Sequence, residues 1–177
     1  MSTGQKKIKI TIFGPRHTGQ GPIGRAWGKS IADLPALQPV CIYEREVQFK
    51  GMKTPVAAWV LSLDPQFDYM RKAMYLASDA FIYTFDLLSQ PERSLEYLDL
   101  FINEVHQTLG TMPPQILIGT KLDPTLERPE YVDEVLKAWM QKHGDMLYFE
   151  LDALDRGAFL QAVEQIFDKV LGLLGKK

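Results

Sequence analysis

The sequence predicts a three-layer α/β domain, with a six-stranded, mostly parallel sheet, one antiparallel hairpin strand and about five helices. Three observations predict it. Short apolar runs bounded by glycine or polar residues alternate with segments whose apolar residues recur at helical spacing. Only one pair of β-rich runs is close enough for a hairpin, so the remaining strands need helical crossovers and should lie parallel. The 177 residues, 46% hydrophobic and 24% charged, are enough for one core, with no linker or repeat to mark a second domain.

Lys7 to Phe13 reads as a strand entering a glycine-rich loop, and Pro22 suits the first turn of the helix that follows, where its missing N–H costs nothing. Val40 to Lys50 and Thr54 to Leu63 form the hairpin around Gly51-Met52-Lys53. Gln66 to Ala77 has helical spacing and Asp79 to Phe85 is a short apolar strand. Pro91 to Leu109 repeats Leu95, Leu98, Ile102, Val105 and Leu109, the pattern of an amphipathic helix. Gln115 to Gly119 is a buried strand, Glu130 to His143 a helix stopped by Gly144, Met146 to Glu150 a strand, and Ala158 to Leu174 the closing helix. The ends, 1–6 and 175–177, are expected to be flexible.

Twenty basic and twenty-two acidic side chains give a net charge of -2, so there is no general attraction for nucleic acid, although a small anion is compatible. Cys41, the single cysteine, cannot form an internal disulfide, and Val40 and Ile42 beside it predict a buried strand position. A reducing, cytoplasmic location fits best. The apolar start is broken by Lys9 and Thr11, and Ser2 and the final Gly-Lys-Lys fit neither common lipidation signal, so no direct membrane anchor is expected.

In such a sheet ligands gather beyond the carboxyl ends of the strands. After the first strand, Gly14-Pro15-Arg16-His17-Thr18-Gly19-Gln20-Gly21 has glycines at the spacing of a phosphate-binding loop, but Gln20 stands where a lysine offsets phosphate charge and Gly21 where a hydroxyl binds magnesium. Gly28-Lys29-Ser30 imitates the missing motif but lies at or past the end of the helix, away from the strand tip, and is set aside. After the hairpin's second strand, Asp64 is either a metal-associated carboxylate or a cap, and the sequence leaves both open. After the fifth predicted strand comes Gly119-Thr120-Lys121-Leu122-Asp123, whose carboxylate can accept from the N1 and amine of guanine while the lysine stem covers the base. After the sixth, Asp152-Ala153 offers a small residue whose backbone N–H can approach a base oxygen.

These stations, in this order, resemble the Ras-like small GTPases, of the P-loop NTPase superfamily, from Lys7 to about Leu174, most closely in ASDAFIYTFDLLSQPERSLEYLDLFINEV and PPQILIGTKLD. The resemblance implies a small-GTPase fold, GTP and GDP as ligands, Mg2+ as cofactor, and protein effectors or regulators, including the roadblock type. It assigns Gly14, Arg16, His17, Thr18, Gly19, Gln20 and Gly21 to the phosphates, Asp64 to the metal, and Thr120, Lys121, Asp123, Asp152 and Ala153 to the base.

The departures from that family cluster at the phosphates. Arg16 replaces an expected glycine, and no threonine lies between Thr18 and Thr54 to serve the first switch. Asp64-Pro65-Gln66-Phe67 puts phenylalanine where a glycine N–H would sense the third phosphate, and Asp68 holds the place of the water-orienting glutamine. Gln66 is two residues early, a weak catalytic candidate. Arg16, His17 and Arg25 are possible substitute cations. His106 and His143 read as solvated or helix-capping, Trp27, Trp59 and Trp139 as packing, and Tyr43 to Glu46 as a charged edge or partner face. The leading reading is guanine-nucleotide binding with weakened or absent hydrolysis, as slow switch or scaffold. The alternatives are a nucleotide-free interaction module and an active GTPase with an unorthodox loop.

Overall fold

The computed structural model describes residues 7–31, 38–144 and 146–176. Of the ends expected to be flexible, 1–6 and 177 lie outside the described residues, as does 32–37 of the first-switch stretch, whereas Gly175 belongs to the closing helix.

The elements run β1 (Ile8–Phe13), α1 (Gln20–Trp27), β2 (Lys29–Ser30), β3 (Val40–Phe49), β4 (Met52–Leu61), a 3₁₀ turn (Pro65–Phe67), α2 (Asp68–Tyr75), β5 (Ala80–Asp86), α3 (Pro91–Leu109), β6 (Gln115–Lys121), α4 (Val132–His143), β7 (Leu147–Asp152) and α5 (Arg156–Gly175). The sheet order is β2-β3-β4-β1-β5-β6-β7, parallel from β4 through β7 and antiparallel at β2–β3 and β3–β4. Five parallel carboxyl ends therefore face one side of the molecule, and that is where the motifs sit.

Alternation along β1 explains the three layers. Ile8, Ile10 and Ile12 pack with Ile23 and Trp27 of α1 and Val163, Phe167 and Val170 of α5, while Phe13 packs on the other face with Tyr75 of α2, Leu98 and Ile102 of α3 and Leu136 of α4. Burying each such side chain contributes about 1.5–3 kcal/mol relative to leaving it in water. Trp27 stacks on Phe167 at 4.0 Å between ring centroids, and Trp139 donates to the Leu95 carbonyl, so these two tryptophans pack as expected; the half-buried Trp59 lies under the Lys9 ammonium at 4.1 Å.

Four expectations are corrected. The sheet has seven strands rather than six, because the chain leaves α1 extended and Lys29–Ser30 pairs with Tyr43 and Glu44. A Cβ at Gly28 would lie 2.8 Å from the Glu44 carbonyl oxygen, so the glycine permits that approach. The hairpin loop is only Lys50–Gly51: Phe49 pairs with Met52, and φ is +50° at Lys50 and +78° at Gly51, the left-handed pair that a two-residue turn needs to match strand twist. Cys41 is exposed. It shares a strand face with buried Tyr43, but Tyr43 is covered by α1 at Gly24 while Cys41 opens on the cavity beside the glycine-rich loop.

His143 is the fourth. Its side chain is only 5% exposed, and its Nε2 lies 2.5 Å from Asp99, which also accepts from Trp139 Nε1 at 2.6 Å and Lys142 Nζ at 2.5 Å. His106, by contrast, is exposed as expected. Burial opposes ionisation of Asp99, but hydrogen bonds from Lys142 and His143 outweigh it and hold its carboxyl below the ordinary 3.8. A carboxylate depressed in the folded state stabilises fully above its unfolded value and loses that contribution as pH falls through the folded one. Asp99→Asn is therefore expected to cost about 1–2 kcal/mol at neutral pH. In denaturant titrations the gap from wild type should close as pH drops below 3.8; a gap unchanged from pH 7 to pH 2 would remove the assignment.

Candidate functional site

The loop Gly14–Gly21 is bolted to the strands beneath it. A Cβ on Gly14 would stand 2.1 Å from Thr84 Oγ1 and 2.3 Å from the Thr84 carbonyl oxygen, so the loop can cross β5 this closely only without a side chain. Buried Thr18 donates to the Pro15 carbonyl at 2.7 Å and meets Thr84 Oγ1 at 2.7 Å. Thr120 on β6, fully buried, points its hydroxyl at the Thr18 carbonyl, 3.1 Å, and the Phe85 carbonyl, 3.0 Å. Its methyl lies 3.4 Å from the Cβ position of Gly19. Residues 14–21 and 120 are thus joined by hydrogen bonds and close packing.

At the base end the Asp123 carboxylate is exposed and accepts through Oδ1 from the Thr125 hydroxyl at 2.6 Å and the Thr125 N–H at 2.8 Å. Those two bonds hold it below the ordinary carboxylate range, so it is an acceptor at any physiological pH. Its Oδ2 makes no hydrogen bond among the described residues. Lys121 Nζ is 3.1 Å from Glu150 Oε2, and Glu150 also receives Tyr148 and Arg128. Burial works against ionisation of Glu150, but Lys121 and Arg128 keep it charged. The Glu150 anchor for Lys121 is a site feature that the motif reading missed; a charged residue on the strand preceding the second base loop was its only trace.

The second base loop departs from expectation. The Ala153 N–H donates to the Lys121 carbonyl at 3.1 Å and the Leu154 N–H to Asp152 Oδ1 at 2.9 Å, so neither is directed at a ligand. Alanine here extends the sheet register rather than presenting a donor.

The phosphate end is occupied by the protein's own groups. Gln20 Nε2 folds back to the Gly14 and Pro15 carbonyls, 3.2 Å each, and its Oε1 accepts from Thr18. His17 sits in the left-handed region at φ +63° and is exposed. Arg16 reaches across to pair with Asp64, whose other oxygen caps the 3₁₀ turn by accepting from the Gln66 N–H at 3.2 Å. Asp64 is thus both a cap and an ion-pair partner. Gln66 is exposed, and Asp68, at the place of the water-orienting glutamine, pairs with buried Arg71.

The donor set does not fit Mg2+. Gly21 has no side-chain oxygen and Asp64 is taken by a guanidinium, while no group of three or more His, Cys, Asp or Glu suited to a metal occurs among the described residues. Beside the loop lies a cavity of about 480 Å³ whose lining includes His17, Gln20, Gly21, Arg25, Cys41 and Ser62.

A GTP-binding protein, yptV5, of Volvox carteri is similar at 22% identity over 160 residues, spanning 86% of this chain and 77% of that protein. The Ras family model matches residues 40–172 and so begins at β3, after the glycine-rich loop, with β1, α1 and β2 before the match and Gly119 to Asp123 inside it. With three quarters of its length matched on a sheet of this order, the chain belongs to the Ras family of small GTPases, a family of GTP-binding proteins.

Proposed function

We propose that this chain binds GDP and GTP through the purine-reading tetrad that ends at Asp123 and hydrolyses GTP weakly or not at all, acting as a slow switch or scaffold for protein partners. The observation that carries the reading is the Asp123 carboxylate, held ionised by Thr125 with one oxygen open, beside Lys121 braced on Glu150. A guanine offers two adjacent N–H donors to such an oxygen pair, whereas adenine presents an acceptor at N1.

Weak hydrolysis follows from the opposite end. Lysine, magnesium hydroxyl, phosphate-sensing glycine and water-orienting glutamine are replaced by Gln20, Gly21, Phe67 and Asp68. Each loss of a preorganised charge-stabilising group commonly lowers the rate by about 10² to 10³. The yptV5 relative, named as GTP-binding, supports the nucleotide assignment. Partner proteins would meet the β3 face, where among the described residues only two-residue β2 pairs with the strand's outer edge, with Arg45 and Glu46 exposed. A cytoplasmic location accords with the single unpaired cysteine, and a roadblock-type regulator rests on family resemblance alone.

Denaturing the purified protein and identifying what it releases tests the reading. GDP or GTP is expected, with single-turnover hydrolysis far slower than product release. The folded-back Gln20 amide favours a second reading, an interaction module with an empty site. Absence of bound nucleotide and of any binding on addition would establish it, and rapid turnover would favour an active enzyme instead.

A further inference from the structure

The phosphate end lacks both the lysine and a metal site, yet phosphates need a counter-charge. Two guanidiniums and one imidazole stand near the loop. Arg16 is engaged by Asp64, and His17 is an exposed side chain on a strained left-handed residue. Arg25 remains. It lies one helical turn after Gly21 on α1, and helical side chains tilt toward the N-terminus, so its guanidinium covers the turn that begins the helix. A Cβ built on Gly21 would meet Arg25 Nη1 at 3.5 Å and Nη2 at 3.9 Å, so the guanidinium sits directly over the residue whose hydroxyl the family uses for magnesium. No carboxylate among the described residues pairs with Arg25, and it lines the 480 Å³ cavity together with Gln20 and Gly21.

We propose that Arg25 takes the place of the divalent cation, so that its guanidinium neutralises the nucleotide's phosphates and binding of a guanosine diphosphate needs no metal. This rests on the guanine-nucleotide reading above. Three features of the chain converge on it. Glycine at 21 leaves no hydroxyl there, and the Arg25 guanidinium lies within van der Waals reach of that position. Arg16 neutralises Asp64, which would otherwise repel the phosphates across the loop. A planar guanidinium offers paired N–H donors matched to phosphate oxygens, a geometry that a free lysine does not supply.

Titration of fluorescently labelled GDP and of guanosine, each with Mg2+ and with excess EDTA, tests it on wild type, Arg25→Gln and Arg25→Lys. Wild type should bind GDP with less than about a twofold change on chelation. Arg25→Gln should weaken GDP about tenfold, near 1.4 kcal/mol, and leave guanosine unaltered, since only the phosphate contact is lost. Arg25→Lys should recover part of the loss. The residue is exposed, so matched thermal melts establish that the variants are folded. A drop of more than about tenfold in wild-type GDP affinity on chelation, or GDP binding by Arg25→Gln equal to wild type, overturns the inference. Either result with guanosine still bound leaves the base-reading proposal standing, whereas failure of wild type to bind guanosine or GDP removes both.

Discussion

Asp123→Ala is expected to abolish the preference for guanine over adenine while leaving the protein folded. The side chain is exposed, and its partners, the hydroxyl and N–H of Thr125, can both turn to water when it is removed. No core contact is lost. What disappears is the acceptor pair for the purine's N–H groups. A site built around hydrogen bonds to a ligand discriminates steeply because the wrong ligand leaves its polar groups unpaired, and losing that acceptor should lower the guanine-to-adenine affinity ratio by about a hundredfold or more. Competition of GDP and ADP against a labelled guanine nucleotide measures it directly. A variant that still prefers GDP by the wild-type factor would mean that the base is read elsewhere.

Gly14→Ala should be the most damaging single methyl in the chain. Its Cβ would lie 2.1 Å from Thr84 Oγ1 and 2.3 Å from the Thr84 carbonyl oxygen, and the second of these is backbone in the middle of the sheet. A flexible side chain can turn away; β5, paired on both sides, cannot. Overpacking of a rigid site costs about 1–3 kcal/mol and sometimes more. For a domain of this size each kcal/mol lowers the melting temperature by about 2–4 °C, so a fall of roughly 5–10 °C is expected. Nucleotide affinity should fall with it, because relief requires lifting the loop from Thr84 and Thr120. Gly172→Ala, on an α5 position where a Cβ meets nothing within 4 Å, is the matched control and should leave the melt unchanged or slightly raised. Equal melts for Gly14→Ala and wild type would show that the loop rides more loosely on β5 than these distances state.

The sheet and its helices were legible because each element carries its own periodic signal. α3 was bounded correctly at both ends, by Pro91 and by Gly110 after Leu109, since those residues act through local backbone constraints. β2 was not legible: two residues with no hydrophobic pattern become a strand only because Glu44 happens to pass within reach of Gly28. Cys41 was misplaced for a related reason. Apolar neighbours on a strand report burial of the strand, but not where along its face the covering helix stops.

At the site, what the motifs carried was position, and what they omitted was partnership. The glycines of the loop and Thr120 lie side by side at the strand ends, where backbone geometry that spacing can encode holds them. The Arg16–Asp64 pair, the folded-back Gln20 amide and the Glu150 brace on Lys121 join residues separated by up to 48 positions or turned by a side-chain rotamer, and no local pattern announces either. Ala153 illustrates the limit most clearly. A small residue at that place permits a donor to face a base, yet its N–H, just past the end of β7, is taken by the Lys121 carbonyl.

The hydroxyl of Thr120, shared between the Thr18 and Phe85 carbonyls, fastens the purine-reading strand to the neighbouring loop through a single atom. The two ends of the pocket consequently behave as one stiff frame. The side chains that the glycine-rich loop displays, Gln20 among them, can therefore change while its backbone stays moored to β5 and β6 through Thr84 and Thr120.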